Sequence, residues 1–230
     1  MMSAEVNYYN SQNPFLVAVD CIILGFQDNE IKLLVHHRQM EPAKGGLSLM
    51  GGFVRENESL NDAAIRVLTS LTGLENIFME QVGTYGDIDR DPGERVISCV
   101  YYALIDVRAQ DESLLEKYNA SWVNINRSDE LIFDHPQMVR DAINILRNKA
   151  AMQPIGFNLL PEKFTLTHLQ ALYEAIYGKS LDKRNFRKRM LGFDFIEKLN
   201  EVDKSGSKKG AYYYKFKEDK THLLNSDYGF

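Results

Sequence analysis

The chain has 230 residues, of which 44% are hydrophobic and 26% are charged, and its net charge is −5. This composition is typical of a soluble globular protein with one large or two modest domains. It has no apolar run of the roughly 20 residues that a membrane helix needs, and its N-terminus lacks the pattern of a signal peptide, so we expect a cytoplasmic protein. The two cysteines lie in apolar runs, which predicts buried thiols rather than a zinc site or a disulfide framework.

The charge is unevenly distributed along the chain. Residues 161–220 contain 14 Lys and Arg against 9 Asp and Glu, a balance of +5, which leaves 13 against 23, or −10, for the remainder. A basic region attached to an acidic body indicates a polyanionic partner for the basic region. The alternative is a solvated basic face without a partner.

The first half of the chain alternates between strand-like and helix-like patterns. Apolar, β-branched runs predict strands at residues 15–25 and 31–38, followed by a glycine-rich loop at 42–52. An amphipathic helix follows at 59–72, with Gly73 as its C-terminal cap. Asp20 is notable because it lies inside an apolar strand, where an unpaired carboxylate is costly.

Further strands are predicted at 78–85, 96–107 and 120–124. A helix then begins near Asp134 and Pro136 and continues to about residue 150. Two prolines and a glycine interrupt both periodicities in the following segment. We therefore predict an α+β domain at residues 1–150, a linker at 151–160 and a second domain at 161–230.

The second domain has the pattern of a winged helix-turn-helix. A helix capped by Thr165 or Thr167 ends at Gly178, and a second helix opens with Asp182 as its N-cap. Phe186 and Met190 mark the buried face of that second helix, which leaves its basic residues exposed as in a recognition helix. A basic, glycine-rich hairpin follows as a wing. The predicted DNA-binding residues are Lys183, Arg184, Asn185, Arg187, Lys188, Arg189, Lys204, Lys208 and Lys209.

The first domain carries a motif whose chemistry is incomplete. Four residues stand at the spacing of a Nudix box: Gly52, Glu58, Arg66 and Gly73. Three positions that hold glutamates in an active box are uncharged: Val67, Ser70 and Leu71. Active boxes use those carboxylates to hold divalent cations, which bind oxygen ligands and activate water. We therefore predict a binding domain with no catalytic residues, no metal and no cofactor.

Nearly the whole chain resembles the Nudix-related transcriptional regulators, in which a degenerate Nudix domain precedes a winged helix. The resemblance depends most on the eroded box with residues 49–54, on Phe133–His135, and on residues 164–174 and 181–189. It implies a Nudix α/β/α sandwich followed by a winged helix. It also implies a homodimeric regulator, with a repressor favoured over an activator, that releases operator DNA when a small effector binds the Nudix pocket.

The resemblance leaves two effectors open, L-arabinose and an ADP-ribose-like nucleotide. We favour L-arabinose, because the metal-holding glutamates of the box are absent and a pentose needs carboxylates, amides and backbone groups for its hydroxyls. The predicted effector-binding residues are Asp20, Arg38, Lys44, Gly45, Gly46, Gly52, Glu56, Asp87 and Asp89. For a diphosphate the available cations are Arg38, Lys44, Arg55, Arg90 and Arg95.

The alternative function is a Nudix hydrolase acting on ADP-ribose. It requires metal ligands from outside the missing positions of the box. The nearby acids are Glu56, Glu58, Glu80 and Glu94.

Overall fold

The computed structural model describes residues 11–75, 77, 79–109, 112–205 and 210–217. Within these ranges no helix is long and apolar enough to cross a membrane. The strands are β1 (Leu16–Gln27), β2 (Glu30–His37), β3 (Leu47–Ser48), β4 (Met50–Phe53), β5 (Met79–Tyr85), β6 (Val96–Leu104), β7 (Ala120–Asn124), β8 (Phe164–Thr165), β9 (Ile196–Asp203) and β10 (Ala211–Phe216). The α-helices are α1 (Leu60–Thr72), α2 (Glu112–Lys117), α3 (His135–Met152), α4 (Leu166–Tyr177) and α5 (Lys183–Gly192).

Strand β1 is the centre of the first sheet. It pairs with β6 in parallel and with β2 and β4 in antiparallel orientation, while β5 extends the sheet beside β6 and β7 beside β2. Side chains alternate between the two faces of a strand, so Val19 and Ile23 pack against α1 while Ile22 and Leu24 pack on the face that α3 covers. Burial on both faces explains the near-continuous apolar sequence of β1. The predicted α/β/α sandwich is confirmed.

Local sequence signals account for the helix ends in this sandwich. Helix α1 begins with a capping box in which Ser59 and Asp62 exchange hydrogen bonds, and it ends at Gly73 with φ of 71°, a left-handed conformation that favours glycine. Helix α3 has Pro136 in its first turn, as predicted. The predicted strand at 96–107 ends earlier, at Leu104, and the predicted loop at 42–52 contains strand β3 and most of β4.

The winged helix is also confirmed. Thr165 caps α4 by accepting from the backbone N–H of His168, and Gly178 ends it in the left-handed conformation. Asp182 caps α5 in the same way through Asn185. Strands β9 and β10 form the hairpin, and β8 completes a three-stranded sheet in the order β8-β10-β9. Phe186 and Met190 are the buried residues of α5, as predicted.

The two regions share one hydrophobic core. Helix α3 continues to Met152, beyond the predicted boundary at residue 150. Residues 151–160, predicted as a linker, place Ile155, Leu159 and Leu160 in the same buried cluster as Leu146 of α3 and Leu172 of α4. This segment therefore contributes to packing. The boundaries at 150 and 160 stay predictions.

We expect Leu172→Ala to lower the free energy of unfolding by about 2–5 kcal/mol, because Leu172 is fully buried and its truncation leaves a cavity. Urea denaturation followed by circular dichroism measures the change. Leu191→Ala is the matched control, since Leu191 is 52% exposed on α5, and we expect a change within about 0.5 kcal/mol. Equal effects of the two substitutions would contradict the shared core.

Candidate functional site

A pocket of about 210 Å³ opens beside the middle of β1. Strands β1, β2 and β4 form its base, and the loops before β6 and α3 form its walls. Its lining comprises Ala18, Asp20, His36, Arg38, Gln39, Met40, Ser48, Leu49, Gly51, Gly52, Phe53, Arg90, Asp91, Val96, Phe133 and His135.

Two carboxyl groups and a guanidinium from distant parts of the chain meet beside this pocket. Asp20 is buried and accepts a hydrogen bond of 2.5 Å from Ser98 Oγ. Arg90 is also buried, and its guanidinium donates two bonds of 2.9 Å to the carboxylate of Asp134 while lying 3.8 Å from Asp20. A buried charge without a partner is strongly destabilising, so each of these groups depends on the others.

His135 connects this ionic cluster to the sheet. Its Nδ1 accepts a hydrogen bond of 3.3 Å from the backbone N–H of Leu49, and its Nε2 lies 3.9 Å from Asp20 Oδ1. Burial lowers the pKa of His135, which favours the neutral imidazole. With Nδ1 accepting, the single ring proton is on Nε2 and faces Asp20.

Gly51 is required by the close approach of β4 to Asp20. Gly51 is the register partner of Asp20 on the neighbouring strand. A Cβ atom at position 51 would lie 2.3 Å from Asp20 Oδ1 and 2.9 Å from the backbone oxygen of Val19. Only glycine therefore allows the carboxylate of Asp20 to remain against the strand.

Arg38 supplies an accessible cation at the other side of the pocket. Its Nε donates to the backbone oxygens of Met40 at 3.2 Å and Pro42 at 2.7 Å, and its guanidinium lies 5.3 Å from the ring centre of Phe133. These contacts orient the guanidinium. Within the described ranges, its two Nη atoms have no acceptor from the protein and are available to a ligand. Phe53, 50% exposed, adds an aromatic surface at the rim.

The structure brings together some of the predicted effector-binding residues and separates others. Asp20, Arg38 and Gly52 line the pocket. Asp87 and Asp89 line an adjoining open depression, which shares Arg90 with the pocket. Lys44, Gly45, Gly46 and Glu56 are absent from both linings within the described part of the chain.

The loop that carries Lys44, Gly45 and Gly46 closes on its own backbone. The N–H of Gly45 donates to the oxygen of Arg38 at 2.8 Å, and the N–H of Gly46 donates to the oxygen of Ala43 at 3.0 Å. The glycine N–H groups are thereby used within the turn. Lys44 and Glu56 are both exposed.

Sequence reasoning named Arg90 only as a cation available to a diphosphate, and it did not select the Phe133–His135 segment as effector-binding. Arg90 lies in a polar loop whose composition gives no sign of burial. Phe133 adopts a positive φ of 55°, which an L-residue rarely adopts. The Phe-Asp-His motif before α3 was the only available signal, and it indicated a family rather than a pocket wall.

The remnants of the Nudix box form a structural unit. Glu58 accepts two hydrogen bonds from Arg66, at 2.8 and 2.6 Å, and Arg66 also donates to the backbone oxygen of Phe53. These bonds from Arg66 lower the pKa of Glu58 to about 2. The ion pair fixes the loop after β4 against α1.

The three uncharged box positions differ in their surroundings. Val67 and Leu71 are buried against Val19 and Ile23 of the sheet, and Ser70 is exposed with its Oγ bonded to the backbone oxygen of Val67. Val67 Cγ2 lies 3.4 Å from the position of a Cβ on Gly52. Methyl groups therefore fill the space between α1 and β4. Among the described residues, no group of three or more His, Cys, Asp or Glu is arranged to hold a metal ion.

The second candidate site is the basic surface of α5. Lys183, Arg184, Asn185, Arg187 and Lys188 are exposed, as a recognition helix requires. Lys204 is exposed before the wing tip, and Lys208 and Lys209 lie outside the described residues.

Arg189 differs from the other predicted DNA-binding residues. Its guanidinium donates to the backbone oxygen of Ala150 at 3.3 Å and to that of Ala151, and it lies 5.4 Å from the ring centre of Phe193. One nitrogen of the Arg189 guanidinium, Nη2, is therefore engaged by the C-terminus of α3. Helical periodicity alone did not reveal this contact.

The fold and the two sites define a Nudix-type domain joined to a C-terminal winged helix. Residues 14–142 match the NUDIX domain family, and residues 156–216 match the NrtR DNA-binding winged helix domain. The chain therefore belongs to the Nudix family, in its branch with an NrtR-type winged helix.

Three similar proteins illustrate the relationship. The ADPR responsive transcriptional repressor NtrR of Acinetobacter baylyi is 32% identical over 91% of this chain and 85% of its own. The structure of Shewanella oneidensis NrtR complexed with a 27mer DNA has a TM-score of 0.78 and 27% identity over 90% of this chain and 95% of its own. The ADP-ribose pyrophosphatase of Methanocaldococcus jannaschii is 33% identical over 54% of this chain and 71% of its own.

These similarities correct one prediction from the sequence. The chain groups with NrtR proteins rather than with an arabinose-responsive branch. The error came from equating the loss of metal ligands with the loss of phosphate recognition. Arg38 lies in the pocket lining, and an arginine can bind phosphate without a metal.

We expect Gly51→Ala to destabilise the fold by about 1–3 kcal/mol, because the new methyl group forces Asp20 away from Ser98. Urea denaturation at pH 7 measures the effect. Gly192→Ala is the control, since a Cβ on Gly192 meets nothing within 4 Å and alanine favours a helix. A Gly51→Ala protein as stable as the control would refute the close approach.

The Glu58–Arg66 pair predicts a defined pH dependence of stability. The pKa of Glu58 is about 2 in the fold against an ordinary value of 4.5, so its stabilisation is complete above pH 4.5 and is lost as pH falls towards 2. We expect the difference in unfolding free energy between wild type and Glu58→Gln to be constant from pH 7 to 5 and to shrink below 4.5. Urea titrations at several pH values measure it, and a difference that grows on acidification contradicts the assignment.

Proposed function

We propose that this protein is a cytoplasmic, homodimeric transcriptional repressor that binds operator DNA through its winged helix and releases it when ADP-ribose occupies the Nudix pocket. The observation that carries the proposal is the combination, in one chain, of an accessible arginine in a Nudix pocket and an exposed basic recognition helix. The relatives that span most of this chain are an ADPR responsive repressor and an NrtR protein complexed with DNA.

The chemistry of the pocket suits a nucleotide diphosphate. A diphosphate is bound by positively charged hydrogen-bond donors. The two Nη atoms of Arg38, which have no acceptor among the described residues, provide a planar fork of the kind that binds phosphate oxygens. Aromatic rings of Phe53 and Phe133 provide apolar surface for a base. The pocket of about 210 Å³ accommodates only part of such a ligand, and the adjoining depression with Asp87 and Asp89 offers acceptors for ribose hydroxyls.

Binding without cleavage follows from the altered box. Catalysis by a Nudix domain needs carboxylates around divalent cations, and Val67 and Leu71 offer only buried methyl groups at two of those positions. The similarity to an ADP-ribose pyrophosphatase favours hydrolysis as the second candidate function. We propose that the ligand is shared with that relative while the reaction is not.

The experiment uses duplex DNA selected from a random pool by binding to the full-length protein, with fluorescence anisotropy as the measurement. We expect ADP-ribose to weaken DNA binding about five- to 150-fold, the range of ordinary allosteric coupling, and L-arabinose to have no effect. Arg38→Met should raise the Kd for ADP-ribose by about tenfold or more while leaving DNA affinity intact, since it removes a charge-assisted contact. Arg55→Met is the matched control, because Arg55 is exposed and outside the pocket lining.

The same titration tests hydrolysis when Mg²⁺ is present and ADP-ribose is quantified by chromatography. Intact ADP-ribose at the end of the titration agrees with the proposal. Mg²⁺-dependent turnover that Glu58→Gln abolishes would establish the hydrolase instead. Unchanged DNA affinity at saturating ADP-ribose would refute the repressor proposal.

A further inference from the structure

Helix α3 has one end in the pocket and the other end against the recognition helix. Its N-cap Asp134 makes no side-chain cap bond, because its carboxylate holds Arg90, and its first residue, His135, binds the backbone of Leu49. Its 18 residues span about 27 Å at 1.5 Å per residue. The buried residues Met138, Ala142 and Leu146 pack it against the sheet along this length.

Two arginine side chains connect the C-terminal ends of α3 and α4 to a neighbouring helix. The last carbonyls of an α-helix have no partner within the helix and need external donors. Arg189 of α5 donates to two such carbonyls at the end of α3, Ala150 and Ala151. Arg147 of α3 donates in turn to the oxygen of Ile176, in the last turn of α4, at 2.8 Å.

The helices α4 and α5 are themselves held together. Gln170 Nε2 donates to the oxygen of Leu181 at 2.9 Å, and the N–H of Leu181 donates to Glu174 at 2.8 Å. The rings of Tyr173 and Phe186 meet edge to face with their centres 5.2 Å apart. A displacement of α3 is therefore transmitted to α4 and α5 through fixed polar contacts and packed rings.

We propose that Arg189 is a positioning residue rather than a DNA contact: by binding the C-terminus of α3 it couples the occupancy of the Nudix pocket to the placement of the recognition helix. This inference rests on the proposed function. A ligand that draws on Arg90 changes the contacts of Asp134 and His135 at the start of α3. The helix moves as a unit, and Arg189 carries that movement to the exposed face of α5.

The geometry distinguishes Arg189 from its neighbours on the same helix. Arg184, Arg187 and Arg189 are all exposed, but Arg184 and Arg187 have no acceptor from the protein within the described residues, so they are free to meet DNA. Arg189 instead donates from Nη2 to two backbone oxygens, and its charge faces the negative end of the α3 dipole. Replacing Arg189 therefore reduces the coupling between effector binding and DNA binding, whereas replacing Arg184 weakens DNA binding itself.

The test measures a coupling factor, the ratio of the Kd for the selected duplex at saturating ADP-ribose to the Kd without it. For Arg189→Met we expect this factor to fall at least threefold towards 1, with the Kd for ADP-ribose in the absence of DNA within about twofold of wild type. Arg189→Lys, which keeps a cation and a donor at the same carbonyls, should restore most of the coupling. Arg184→Ala is the control, with weaker DNA binding and an unchanged factor.

A direct contact between Arg189 and DNA predicts a different pattern. Arg189→Met would then weaken DNA binding, lower the salt dependence by about one phosphate contact and leave the coupling factor unchanged, which overturns the inference. Arg147→Met is an independent variant on α3 with the same expected loss of coupling, and it decides the matter if Arg189→Met does not fold. If the variant that folds shows full coupling, the inference about Arg189 is wrong and the proposed function still stands. A wild-type protein without any coupling overturns the proposed function, and the inference with it.

Discussion

The buried guanidinium of Arg90 is the constraint around which the pocket is arranged. An arginine removed from water needs carboxylates, because the cost of desolvating its charge amounts to several kcal/mol. Asp134 and Asp20 supply them from the start of α3 and the middle of β1, segments separated by more than 100 residues in the sequence. The position of α3 relative to the central strand is therefore set by charge as well as by apolar packing.

The ion pairs of Arg90 connect the charge balance of the pocket to the position of α3. A ligand that competes for Arg90 or neutralises a neighbouring carboxylate changes the balance of charge at one end of α3. Because α3 shares a hydrophobic core with α4, a local rearrangement at the pocket cannot stay local without opening cavities in that core. Packed interiors respond by shifting whole elements, which is how small changes at a site reach a distant surface.

The sequence predicted the parts of the molecule that depend on local chemistry. The caps at Gly73 and Asp182 were identified from residue type alone, and Thr165 was one of two candidates with Thr167, because each cap satisfies backbone groups within a few residues. The short strands β3 and β4 were missed because their glycine-rich sequence also suits a loop, and only pairing with β2 and β1 makes them strands. The burial of Arg90 and the contact of Arg189 with the end of α3 were not predictable, since both depend on partners at least 38 residues away.

The effector prediction failed for a chemical reason that the box itself explains. Glutamates in an active box hold metal for catalysis, and recognition of the diphosphate can be separate from that function. Here Val67 and Leu71 add apolar contacts to the core at two of those positions, whereas Arg38 on the opposite side of β4 keeps its cation facing the pocket. Replacing buried carboxylates with methyl groups removes the cost of desolvating them and strengthens the attachment of α1 to the sheet. A domain altered in this way keeps a cation in the pocket lining and gains apolar contacts between α1 and the sheet.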